Sequence, residues 1–198
     1  MVLAAARPAL AVQDWYDYYL QARDRDIPAR KWPDCVRNLR AALRLRPPPA
    51  NNVRTYGNWY EDYVPHYYLG VCLQEQQEHQ AAIDEFDLAE KNGAIKKTSL
   101  WADLLRRRGE AQAAETARQS AEAARRARRE VQRLLQRAQE LGRRGAWDES
   151  LPLLAEAVPL ARSLDADTLR TVAREQERQR ADQKEAQDAA ARAQRLEQ

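Results

Sequence analysis

The sequence predicts an all-α protein, and three observations carry that prediction. Ala, Leu, Arg, Gln and Glu dominate, while strand formers are scarce, with one Phe (Phe86) and three Ile (Ile27, Ile83, Ile95) in 198 residues. Ala and straight-chain residues lose little conformational freedom in a helix, and β-branched ones lose more. Apolar residues recur at three- and four-residue spacing, as in Ala114, Ala117, Ala121, Ala124, Val131, Leu134, Ala138 and Leu141, which lays a stripe along one helical face. Between such runs stand turn signals at Pro28, Pro47, Gly93 and Gly145.

Charge and aromatic content divide the chain. Net charge is only +3, yet residues 106 to 144 hold twelve Arg against five Glu. Eleven of the fourteen aromatic residues precede Gly70, so the first half is equipped for a packed core and the second mostly is not. No run approaches the roughly 20 apolar residues of a membrane span, so no transmembrane segment is expected. Residues 1–13 read either as an unstructured leader or as the remnant of an export signal, since Ala9-Leu10-Ala11 has small-x-small form but Arg7 interrupts a short apolar stretch. Cys35 and Cys72 allow at most one disulfide. Both fall in amphipathic runs, where the expectation is a buried free thiol acting as a small hydrophobe.

From Val64 to Ile95, Leu69-Gly70 is followed by Leu73, Ala82, Phe86 and Ala89, with Pro65 where a first helical turn accepts it. The spacing predicts two packed helices: Gly70 allows close approach, Ala82 and Ala89 are small sites opposite, and Phe86 fills the space left. This resembles a tetratricopeptide repeat. Aligned on the last Ala, an earlier unit has Tyr19 and Ala22, a turn at Asp26-Ile27-Pro28, then Trp32, Cys35, Leu39 and Ala42. A third has Leu134, Ala138 and Leu141, the turn Gly145-Ala146-Trp147, then Ser150, Leu154 and Ala157. Three units are the usual minimum for a stable stack. The spacing departs from the family, which repeats about every 34 residues, because Ala42, Ala89 and Ala157 are 47 and 68 apart.

The expected organisation follows. Residues 14–96 form a pair of repeats around a loop, 47–63, whose aromatic residues should fold back on the helices rather than stand in water. Residues 97–144 form a short helix near Leu100–Leu105 and then a long Arg/Ala-rich helix. The third unit spans 131–164, and 165–198 is a polar helix or frayed tail, capped at Asp165 or Asp167. The fold expected is therefore tetratricopeptide-like helix-turn-helix repeats, about three and irregularly spaced, with a long inserted helix and a C-terminal helix.

Chemistry for catalysis is sparse. His66 and His79 have no Cys or Asp at metal-ligand spacing, and His79 reads as an exposed turn residue. The six glycines are isolated, which excludes a phosphate loop. Adjacent acidic pairs such as Glu61-Asp62 and Asp84-Glu85 diverge on a helix. No enzyme activity, cofactor or metal is expected.

The resemblance implies a concave groove that takes an extended peptide or helix, with Asp17, Leu20 and Asp24 of the first unit and Tyr67, Val71 and Gln74 of the second lining it. It thus implies a scaffold or adaptor for a protein partner. The face carrying Arg125, Arg126, Arg129, Arg133 and Arg137 would steer an acidic partner. The alternatives are a sensory or regulatory subunit of an assembly in the bacterial envelope, or an anion-binding protein acting through that Arg face. Nucleic acid is the weaker expectation, because Glu115, Glu122, Glu130 and Glu140 interleave at helical spacing and no aromatics stand ready to stack on bases. A homo-oligomer by helix exchange stays open. The compartment is cytoplasmic by default and exported if the true start lies upstream of Met1.

Overall fold

A computed structural model describes residues 14–46 and 48–196, so the expected leader lies outside the described residues. About four fifths of the chain is helical, as its composition predicts. The chain divides into two units between Thr116 and Ala117.

Unit 1 begins with α1 (Trp15–Gln21), which a capping box starts: the Asp14 carboxylate accepts from the Trp15 N–H at 2.7 Å, and Asp17 accepts from the Asp14 N–H at 2.9 Å. The helix then widens into a π turn, Ala22–Asp26, in which the Ile27 N–H reaches back to the Ala22 carbonyl at 3.0 Å. A left-handed Arg30 closes the turn. After it runs α2 (Trp32–Leu45), with Pro33 in its first turn, where a missing N–H costs nothing.

Among the described residues the chain is all-α apart from one small hairpin, which corrects the expectation of a loop at 47–63. Where a loop was expected, β1 (Ala50–Arg54) pairs antiparallel with β2 (Tyr60–Tyr63). The prolines at 48 and 49 end helical geometry, and alternation then puts Val53 and Tyr63 on the buried face. An irregularity at Asn51–Asn52 is stitched by Asp62, whose carboxylate accepts from the Asn52 N–H at 3.0 Å and the Asn51 amide at 3.2 Å. The hairpin is tied down by two phenols. Tyr19 donates to the Asp62 carbonyl at 2.7 Å, and Tyr63 to the Arg46 carbonyl at 2.9 Å. Edge-on packing of Trp15 on Tyr63, centroids 4.6 Å apart, completes the clamp.

Next come α3 (Pro65–Glu75) and α4 (His79–Asn92). Gly70 lies directly against the Phe86 ring, so close that a Cβ there would sit 2.6 Å from Phe86 Cε1. Gly93, at φ +78°, ends α4, and a short 3-10 turn, Ala94–Lys97, leads to α5 (Trp101–Arg143). The short helix and the long one expected between 97 and 144 are one helix, continuous through Gly109. An isolated Gly costs a helix only about 1 kcal/mol relative to Ala, and the fully buried Leu104 and Ala111 flank it.

The cysteine expectation is also corrected. Cys35 on α2 and Cys72 on α3 form a disulfide, with Cα atoms 6.4 Å apart and both residues fully buried. The pattern of each helix marked its Cys as inward-facing. That the two inward faces meet is a matter of packing between helices.

Unit 2 comprises the remainder of α5 with α6 (Trp147–Arg162) and α7 (Ala166–Leu196), around Val131, Leu134, Ala157, Ala161 and Val172. The buried Gln179 of α7 joins all three helices. It accepts from the Ser150 hydroxyl of α6 and donates to the Ala138 carbonyl of α5 at 3.1 Å. Gly142 leaves room for that amide, since a Cβ there would meet it at 2.9 Å. From Gln187 onward the described part of α7 is exposed, a solvated helix rather than a frayed tail.

Candidate binding clefts

Three of the six groove residues expected from sequence come together. Asp17, Leu20 and Asp24 line one open cleft of about 680 Å3 along α1 and the π turn, with Tyr18, Gln21, Arg25 and Asn38. Asp17 and Asp24 are exposed and Leu20 is half-buried. Asp17 also serves the capping box, and Asp24 pairs with Arg23 at 2.6 Å. Behind the cleft the buried Asp26 accepts from the Gln21 amide at 3.0 Å and the Asn38 amide at 2.7 Å, which fixes the wall.

Of the other three, Tyr67 and Gln74 meet the start of α5. Tyr67 is buried and donates to Asp103 at 2.6 Å; Val71 is buried; Gln74 donates to the Arg107 carbonyl at 3.3 Å. Asp103 is the centre of this latch. Burial raises its pKa, but hydrogen bonds from Tyr67, Arg106 and Arg107 outweigh that and bring it down to about 2. Burial and the Asp103 hydrogen bond push the Tyr67 phenol well above its ordinary range. Arg108 adds ion pairs to Glu90 and Asp87 of α4.

A second cleft, of about 540 Å3, was not foreseen. Its walls are Arg23 of the π turn, Asn52, Tyr60, Glu61 and Asp62 of the hairpin, Val64, Tyr68 of α3, and Lys97, Thr98, Ser99 and Leu100 before α5. Arg23 donates to Glu61 at 2.7 Å across it. Hydrogen bonds from Arg23 to Asp24 and Glu61 hold its guanidinium charged, with the pKa raised against the opposing effect of burial. Burial raises the pKa of the Tyr68 phenol, keeping it neutral. The cluster of aromatic residues between 47 and 63 was the available signal. The partners Lys97–Ser99 carried none, because only folding brings them to the hairpin.

The expectation that this aromatic segment folds back holds for Tyr63 and fails at the tip. Tyr56 is 76% exposed, Trp59 74% and Tyr60 53%. The tip is ordered by its own hydrogen bonds, with the Thr55 N–H on the Trp59 carbonyl at 2.9 Å and the Arg54 side-chain Nε on the Gly57 carbonyl at 2.6 Å.

Of the Arg face, Arg126 pairs with Glu122, Arg133 with Glu130, and Arg137 with Glu140 at 3.6 Å. Arg125 and Arg129 are exposed. These pairs on one helix engage three of the five Arg of that face. His66 meets Glu85 at 2.7 Å. His79, expected as an exposed turn residue, is half-buried at the start of α4. Among the described residues no group of three His, Cys, Asp or Glu is placed to hold a metal ion, and no helix is long and apolar enough to cross a membrane.

No protein-family model matches the chain, and no curated protein or solved structure shows significant similarity to it.

Proposed function

We propose that the chain is a non-catalytic interaction scaffold, a short array of tetratricopeptide-like helix pairs that takes a peptide or helix of a partner protein along α1. The observation that carries this is the convergence of Asp17, Leu20 and Asp24 on one open cleft. Leu20 and the Tyr18 ring offer apolar contact at its middle, and the two carboxylates at its ends suit the Lys, Arg or free N–H groups of a partner segment. On α3 the equivalent Tyr67 and Gln74 are engaged by the chain's own α5 and Val71 is buried, which leaves the first helix pair as the partner surface.

A displayed library of random short peptides, selected on the oxidised chain, tests the reading. One sequence family should be enriched, and should be lost when selection is repeated on Leu20→Arg and on the exposed-site variant Asp24→Lys, with circular dichroism unchanged. No enrichment, or enrichment indifferent to both substitutions, removes the reading.

The disulfide favours a second reading, an exported regulatory subunit of an envelope assembly, because such bonds persist in oxidising compartments and are rare in the cytosol. Alkylation of source cells quenched in acid and denatured before any reductant is added decides it, because both cysteines are buried in the native fold. Blocked cysteines at 35 and 72 support export, and reactive ones return the chain to the cytoplasm.

A further inference from the structure

The hairpin cleft offers a chemistry different from that of the α1 cleft. Its formal charges cancel: Arg23 and Lys97 stand against Glu61 and Asp62. A strongly anionic or cationic ligand would meet a like charge wherever it settled. The lining is mainly hydrogen-bonding groups, and several have capacity to spare. Asp62 has one carboxylate oxygen engaged by the Asn51 amide and the Asn52 N–H. Tyr68 and Asn52, each carrying a hydrogen-bonding side chain, also line the cleft. Donors and acceptors are thus interspersed at short range, the pattern that satisfies a ligand whose hydroxyl groups each donate and accept.

Two further features narrow the ligand. Tyr60 lines the cleft and is half exposed, so its ring is open to a ligand, and the negative face of such a ring attracts the weakly positive C–H face of a saturated ring. An extended peptide has no strand edge to pair with at Asp62, whose carbonyl is already taken by the Tyr19 hydroxyl at 2.7 Å. The Arg23–Glu61 bridge at 2.7 Å and the Asp62 contacts also hold polar groups in place before a ligand arrives, which lowers the ordering cost of binding.

We infer that the cleft between the hairpin and the Lys97–Leu100 segment binds a neutral saccharide, with Tyr60 stacking on a sugar ring and Asn52, Asp62 and Tyr68 hydrogen-bonding its hydroxyls. The site has its own lining, but Arg23 stands between it and the peptide cleft along α1, donating to Glu61 of one and Asp24 of the other.

The test is the full oxidised chain on an array of immobilised neutral and charged oligosaccharides, with the strongest free sugar then titrated by calorimetry. A neutral sugar should bind. Tyr60→Ala should weaken it about tenfold through loss of stacking, and Tyr68→Phe, which keeps the ring, about fivefold through loss of one hydrogen bond. Tyr56→Ala, at the hairpin tip, should leave it unchanged and serves as the folding control. Binding of charged sugars only, binding that ignores Tyr60 and Tyr68, or no binding on the array overturns the inference. Loss of a selected peptide on Tyr60→Ala would likewise reassign the cleft to protein recognition.

Discussion

Reducing the Cys35–Cys72 bond should destabilise unit 1 far more than unit 2. The bond closes a loop across a sequence separation of 37 that contains the whole hairpin. In the chain-entropy treatment, opening such a loop returns about 4 kcal/mol of freedom to the unfolded chain. With an m-value of about 1–2 kcal/mol/M in urea, the midpoint should fall by about 2–4 M. The assay is tryptophan fluorescence in urea with and without reductant, in a Trp147→Phe background. The remaining tryptophans, Trp15, Trp32, Trp59 and Trp101, all lie in unit 1. The unit 2 transition, followed by far-ultraviolet dichroism, should not move. Two free thiols in the denatured, unreduced protein, or a unit 1 midpoint that reduction shifts by less than about 0.3 M, refute the reasoning.

Three further outcomes are expected. Gly70→Ala should cost unit 1 about 1–3 kcal/mol by urea titration, because the new methyl meets the buried Phe86 ring at 2.6 Å. Gln179→Leu should cost unit 2 about 1–3 kcal/mol by removing its hydrogen bonds to Ser150 and to the Ala138 carbonyl, and because Ser150 still reaches the Trp147 carbonyl at 3.3 Å, adding Ser150→Ala should recover little of the loss. Asp103 has a folded pKa lowered from 3.8 to about 2, so its contribution is present above pH 4 and fades as pH falls from there through about 2. Urea midpoints measured between those values should therefore decline less steeply for Asp103→Asn than for the parent chain; equal slopes would show that the latch around Tyr67 and Arg107 does not set the acid response.

Local chemistry was legible in the chain by itself. Helical character followed from Ala, Leu, Arg, Gln and Glu at helical spacing, and the ends of α4 and α5 from Gly93 and from Gly145, which sits at φ +75°. The Gly70–Phe86 approach was legible too, because a missing side chain and a large ring at fixed spacing imply each other on neighbouring helices. The family resemblance set Asp17, Leu20 and Asp24 together, and they line one cleft along α1 and the π turn.

Tertiary structure decided everything that depends on which distant faces meet. Cys35 and Cys72 each looked like a buried hydrophobe, and only the contact of α2 with α3 turns them into a bond. The hairpin depends on partners far along the chain, as Tyr19 and Tyr63 hold strands that a helix-rich composition did not suggest. Tyr67, Val71 and Gln74 share a helix face, but Tyr67 and Gln74 are taken up by Asp103 and Arg107 at the start of α5 and Val71 is buried in the core. The physical reason is common to all three: helical periodicity is encoded within a few residues, whereas the pairing of surfaces depends on loop closure and shape over tens of residues.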